Sequence, residues 1–188
     1  MKLNFKSYNF TTKEEQGNTL IFDIVRKKYV VLTPEEWVRQ HIIHFLIDDL
    51  SVPVGLISVE RALTFNGLKK RFDICAATNT GRMFLLVECK APGVALSKAT
   101  LHQAGIYHQT LGVQCILLSN GLNHVGMLWD VKSEKFVQVS EIPNYSLWSW
   151  ALICLNGFLF FHSSPILPSN QEPIKLKARR MMPGFTQM

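Results

Sequence analysis

The sequence predicts one α/β domain in which a central sheet is covered by helices, and three observations carry that expectation. Residues 83–90 read as a strand whose centre, Met-Phe-Leu-Leu-Val, is apolar on both faces, as the interior of a sheet requires. A helix-length stretch and a second apolar strand follow it, the order of a right-handed crossover. Upstream, Thr33-Pro34-Glu35-Glu36 supplies a helix start: a capping threonine, proline at the first helical position and acids in the first turn.

In chain order, residues 1–33 hold two short mixed runs, and the second, with Arg26-Lys27-Lys28 at its centre, predicts a small β-hairpin. The helix begun at Pro34 places Trp37, His41, His44, Phe45 and Leu46 near one stripe and should end before Pro53. Residues 56–65 form a strand ending at the turn pair Asn66-Gly67. Residues 71–78 form the next, and Asn79-Thr80-Gly81-Arg82 turns the chain into residues 83–90. Pro92-Gly93 breaks that strand, Ser97 caps a helix reaching about Leu111, and residues 113–119 return as a buried strand. Residues 125–131 and 135–139 close with a hairpin around Ser133-Glu134. The chain then divides into a β-rich extension packed on the core (1–32), the core (33–145), an apolar helix (146–164) and a basic flexible tail (165–188).

A length of 188 residues fits one domain, and 47% apolar residues exclude wholesale disorder. The net charge of +6 is uneven: from Pro165 onward four bases face one acid, so half the excess lies in the tail. Four cysteines show no C-x-x-C spacing, and three sit in strongly apolar surroundings as buried thiols, which predicts a reducing compartment. The N-terminus has no uninterrupted apolar run, so a cytoplasmic location is expected. Residues 146–162 are apolar but interrupted by Ser149, Asn156 and Gly157, which favours a helix docked on the sheet or on a second copy over a membrane span.

Glu88 and Lys90 alternate with Cys89 and so share a face of their strand, together with Leu86 and Phe84. Counting outward from the Asn79-to-Arg82 turn sets Asp73 opposite Glu88. Two carboxylates and a lysine at a strand mouth suit phosphodiester hydrolysis. Hard divalent cations take oxygen ligands, and a neighbouring ammonium steadies charge developing on the phosphate. E-x-K alone is a common cross-strand ion pair. Gln103 and Tyr107, one helical turn apart, add polar tips above the sheet. Glu36 adds a third carboxylate, although a first-turn acid also serves the helix dipole.

The ordered set Pro34-Glu35-Glu36-x-Val38-Arg39-Gln40, Arg71-Phe72-Asp73, Glu88-Cys89-Lys90-Ala91-Pro92 and Gln103-x-x-x-Tyr107 resembles the PD-(D/E)xK nuclease domain. More narrowly, it is similar to the amino-terminal endonuclease domain of type I restriction enzyme R subunits, over residues 33–126. The resemblance implies a restriction-endonuclease-like mixed central sheet flanked by helices. It implies Asp73 and Glu88 as ligands of Mg²⁺ or Mn²⁺, with the carbonyl of Cys89 as a further ligand, and Lys90 as the catalytic lysine. Glu36 becomes the helix carboxylate, and Gln103 and Tyr107 the accessory motif. Phe72 stands where the motif proline usually precedes the aspartate.

No G-x-x-x-x-G-K-[ST] loop occurs, so the expectation is a restriction-like, metal-dependent DNA endonuclease without its own translocase. Its partners would be DNA, a separate specificity or motor protein, and a second copy through the 146–162 helix, with no membrane. The alternative is a catalytically silent nuclease fold that binds DNA or assembles with other chains.

Overall fold

The computed structural model describes residues 2–65, 68–96, 108 and 111–148, with backbone alone for 61–65 and 68–70. The chain opens with a small antiparallel sheet of β1 (Thr12–Glu15), β2 (Asn18–Asp23) and β3 (Lys28–Val31). The expected hairpin is β2–β3; β1 is an addition to it. Its side chains are all exposed, so no apolar alternation marks it in the sequence. What marks it is Gln16-Gly17, both with left-handed backbone (φ 50° and 76°), the geometry of a tight two-residue hairpin turn.

Helix α1 (Pro34–His44) starts where expected. The Thr33 hydroxyl accepts the Glu36 backbone N–H at 3.0 Å, which satisfies one of the donors that a helix start leaves open. The helix runs on into a π-helical turn, Phe45–Asp49, and stops before Pro53. Val38, Ile42, Ile43 and Leu46 are fully buried by it.

Six strands make the central sheet in sequence order: β4 (Ile57–Phe65), β5 (Leu68–Ala77), β6 (Met83–Cys89), β7 (Cys115–Ser119), β8 (His124–Asp130) and β9 (Lys135–Val139). The pair β6–β7 is parallel and the other neighbours are antiparallel, so the sheet is mixed, the α/β architecture expected. One face carries Ile74, Ala76, Leu85, Val87 and Cys89 against α1. The other carries Cys75, Leu86, Ile116, Leu118, Met127 and Phe136. Burial of each large side chain contributes about 1.5–3 kcal/mol, so β6, covered on both sides, anchors both layers.

The β5–β6 register is the one counted from the sequence, but for a different reason. The turn closes one residue early, with the Thr78 N–H on the Arg82 carbonyl at 2.9 Å. Ala77 pairs with Met83 and Ala76 with Leu85, so Phe84 is an extra residue that restores the count, giving Ile74↔Val87. Phe84 therefore lies on the α1 side, not with Leu86 as alternation predicted, and stacks on Trp148 at 4.4 Å.

Residues 3–10 lie as a strap over α1 and the β7–β8 turn. Phe5, Tyr8 and Phe10 pack around His41, and the Phe10 ring also meets Trp37 at 4.8 Å. Leu3 is buried, and the Asn4 N–H bonds the Gly121 carbonyl at 2.7 Å. Gly121 is required there. Its φ is 80°, and a Cβ would stand 2.8 Å from Leu3 Cδ2. The expected helix from Ser97, most of the 146–162 segment and the basic tail lie outside the described residues. Among the described residues, no helix is long and apolar enough to cross a membrane.

Candidate active site

Asp73 stands where the sheet opens. The β5–β6 ladder ends at Ile74↔Val87, and one step further the Asp73 carboxylate accepts the Cys89 backbone N–H at 2.7 Å. Across β4, Val59 pairs with Ile74 and Arg61 with Phe72, so the residue facing Asp73 is Glu60, which is left-handed (φ 52°) inside a strand. Strand alternation fails at the same place, because Phe72 packs with Cys75 while Ile74 packs on the opposite face. Such an irregularity re-aims a side chain at a sheet's end. Here it turns Asp73 toward α1.

The second oxygen of Asp73 accepts from Arg39 Nη2 at 2.8 Å. Arg39 also pairs with Glu35 at 3.2 Å and with Glu36, whose other partners are Arg26 and, at 2.8 Å, the Gln40 amide. Arg26 and Gln40 converge in turn on the fully buried Asp23, at 2.7 and 2.8 Å. Arg26 reaches Glu60 at 3.0 Å, and Arg71 binds the other oxygen of Glu60 at 2.6 Å. Burial opposes the charge on Arg39, but Glu36 and Asp73 more than offset it, and its pKa lies above the ordinary value. Glu36 is thus joined to Asp73 through Arg39.

Glu88 and Lys90 pair at 2.8 Å beyond the ladder's end, both partly exposed. The hydrogen bond to Glu88 raises the Lys90 pKa, so its amine is protonated throughout the neutral range. The Cys89 thiol is raised well above its ordinary value by burial and then by Asp73, which leaves its carbonyl as the only donor it offers a cation. Gln103 and Tyr107 lie outside the described residues.

Among the described residues, no group of three or more His, Cys, Asp and Glu side chains is arranged to hold a metal ion. The donors present still fit a hard cation of the Mg²⁺ kind, which takes one or two carboxylates and completes its shell with water and phosphate oxygens. Among the described residues, each Asp73 oxygen accepts one hydrogen bond, and a carboxylate oxygen has a second lone-pair direction to offer a cation. The nearby Ser119–His124 pair (2.9 Å) is no nucleophile. Both are buried, and the serine oxygen also accepts the Gly121 N–H at 3.0 Å.

The model of the type I restriction enzyme R protein N terminus matches residues 34–143, more than half of the chain. The chain belongs to that family. The matched segment holds Glu36, Arg39, Asp73, Glu88 and Lys90, whereas Asp23 and Arg26 precede it. Among solved structures, a fragment described as an HsdR subunit of a type I restriction enzyme from Vibrio vulnificus is similar. It shares 18% identity over 67% of this chain and 26% of its own, with a TM-score of 0.49, so this chain spans about a quarter of that protein. No curated protein matches the sequence.

Of the residues named from the sequence, Glu88 pairs with Lys90, Asp73 with the Cys89 N–H and Arg39, and Glu36 with Arg39 and Arg26. Arg39 and Glu60 were passed over as site residues. Arg39 had a signal available: it lies one turn after Glu35 and Glu36 on a face that the helix buries, where an arginine needs an acid.

Proposed function

We propose that the protein is a divalent-metal-dependent, restriction-like endonuclease that hydrolyses DNA phosphodiester bonds at the Asp73–Glu88–Lys90 strand end. The observation that carries this reading is the Asp73 carboxylate bonded to the Cys89 N–H, between Glu88 and Lys90, at the open end of β5 and β6. In it, Asp73, Glu88 and the Cys89 carbonyl hold Mg²⁺ or Mn²⁺. When bound, the ion polarises the phosphoryl oxygen and eases deprotonation of water. Lys90, held protonated by Glu88, steadies negative charge on the phosphate and serves as a cation, not as a general base. Glu36 acts at one remove by fixing Arg39 against Asp73. Gln103 and Tyr107 complete the phosphate contacts. We assign the protein to the cytoplasm, with a separate specificity or motor protein as its partner and a second copy joining through residues 146–162.

One observation favours the other reading, a catalytically silent DNA-binding or assembly module: Arg39 and Lys90 already compensate the two carboxylates within the chain. Incubating the protein with supercoiled plasmid and with short oligonucleotides, under Mg²⁺, Mn²⁺ or EDTA, separates the two. Nicking with either metal and none with EDTA is expected; intact plasmid in all three leaves the silent module.

A further inference from the structure

We infer that the β4–β5 ribbon is a duplex-binding arm that grips phosphates beside the strand end, an inference that rests on DNA being the substrate proposed above. The ladder between β5 and β6 stops at Ile74↔Val87, but β4 and β5 continue to pair with each other from Arg61↔Phe72 to Phe65↔Leu68. Among the described residues, the sheet beyond Asp73 is therefore two strands wide. At about 3.3 Å per residue, the steps from Asp73 to Leu68 carry the ribbon roughly 16 Å past the site. That reach corresponds to roughly four or five phosphates along one DNA strand.

The composition of that reach has one sign. Residues 61–72 contain Arg61, Lys69, Lys70 and Arg71 and no acid, a local net charge of +4. A two-stranded ribbon gains little stability from its own pairing in water, and like charges along its sequence add repulsion. Bases on an exposed edge do discourage strand-to-strand association, but mixed signs would serve that end at lower cost. A polyanion relieves the repulsion, and a two-stranded ribbon is narrow enough to enter the major groove of a duplex. Topology settles the placement: β5 runs from the ribbon tip to Asp73, and β6 brings Glu88 to the same end. Glu60, at the ribbon's base, engages Arg71, so Lys69 and Lys70 are the residues to vary.

The test uses the full chain. Binding to a fluorescent duplex of about two helical turns is titrated with salt in EDTA, for the wild type and for Lys69→Ala/Lys70→Ala. Hydrolysis of bis(p-nitrophenyl) phosphate with Mn²⁺ is followed in parallel. Each lost phosphate contact lowers the slope of log K against log salt by about one, so the double variant should lose about two, with unchanged diester hydrolysis and an unchanged melt. Lys69→Gln/Lys70→Gln should match it. Wild-type slope and affinity in a folded double variant overturn the arm. A wild type inert toward plasmid and diester, with the slope loss still present, keeps the arm and removes the nuclease reading.

Discussion

Arg39 settles the charges of two carboxylates that would otherwise repel each other or take up protons. Among the described residues, its loss leaves Glu36 with Arg26 and the Gln40 amide, and Asp73 with the Cys89 N–H. Breaking a buried pair costs about 3–5 kcal/mol, so Arg39→Met should lower the unfolding midpoint steeply, with Arg39→Lys recovering only part of the loss. Lys90→Ala makes the opposite prediction. Its pair is partly exposed, and stability should move by less than about 1 kcal/mol in a denaturant titration. If Lys90 steadies the transition state, plasmid cleavage should fall by about 10² or more while DNA affinity barely changes. Unchanged single-turnover cleavage would return Glu88 and Lys90 to a plain ion pair. The acidic and basic members of the strand end were readable because E-x-K spacing survives as a string. Arg39 carries a local trace in its spacing from Glu35 and Glu36, but its bond to Asp73, 34 residues away, leaves none.

The strap of residues 3–10 makes stability depend on two buried rings. His41 Nδ1 donates to the Trp37 carbonyl at 2.9 Å, and His124 sits between Ser119 and the Asn4 carbonyl. Burial lowers both pKa values below the ordinary 6.5. The unfolded chain therefore takes up protons first: stability present above about pH 6.5 is lost as pH falls through the folded values. The charged neighbours are Lys6 on Asp49, Asp48 near His44, and Tyr8, whose hydroxyl donates to Asp49 at 2.7 Å. Melting midpoints should drop between pH 7.5 and 5.5, and less so in His41→Gln; equal drops would remove His41 from the account. Gly121→Ala tests the other end of the strap. With left-handed backbone and Leu3 in the way, it should cost roughly 1–3 kcal/mol in a chemical denaturation curve.

For the molecule as a whole, the sheet was legible wherever apolar pattern and turn chemistry agreed, as in β6, β7 and the β8–β9 hairpin. It was illegible where pairing alone holds a strand, as in β1, whose four residues are exposed. The family match supplies a second whole-molecule expectation. It begins at Pro34, yet Ile21 is fully buried and Asp23 and Arg26 complete the charge network of α1. A chain shortened to residues 34–143 should fail to fold cooperatively, as judged by near-ultraviolet circular dichroism and by calorimetry. A metal held by Asp73 and Glu88 should raise the midpoint of the full chain, by about 2.7 kcal/mol of stability at a hundredfold excess over Kd. Asp73→Ala should abolish the increment.

The extra residue at Phe84 sets how this hairpin tolerates changes in length. A strand's side chains alternate with period two, so deleting one residue from the regular part of β6 would send Glu88 and Lys90 to the face that α1 covers. Deleting Phe84 alone would let Met83 and Leu85 follow the adjacent Ala77 and Ala76 without a bulge, and Ile74 would still meet Val87. The cost would fall on the ring stacked against Trp148 instead. Insertions and deletions are thus absorbed at the turn end of the hairpin, a strand's length away from the carboxylates whose alignment they would otherwise destroy.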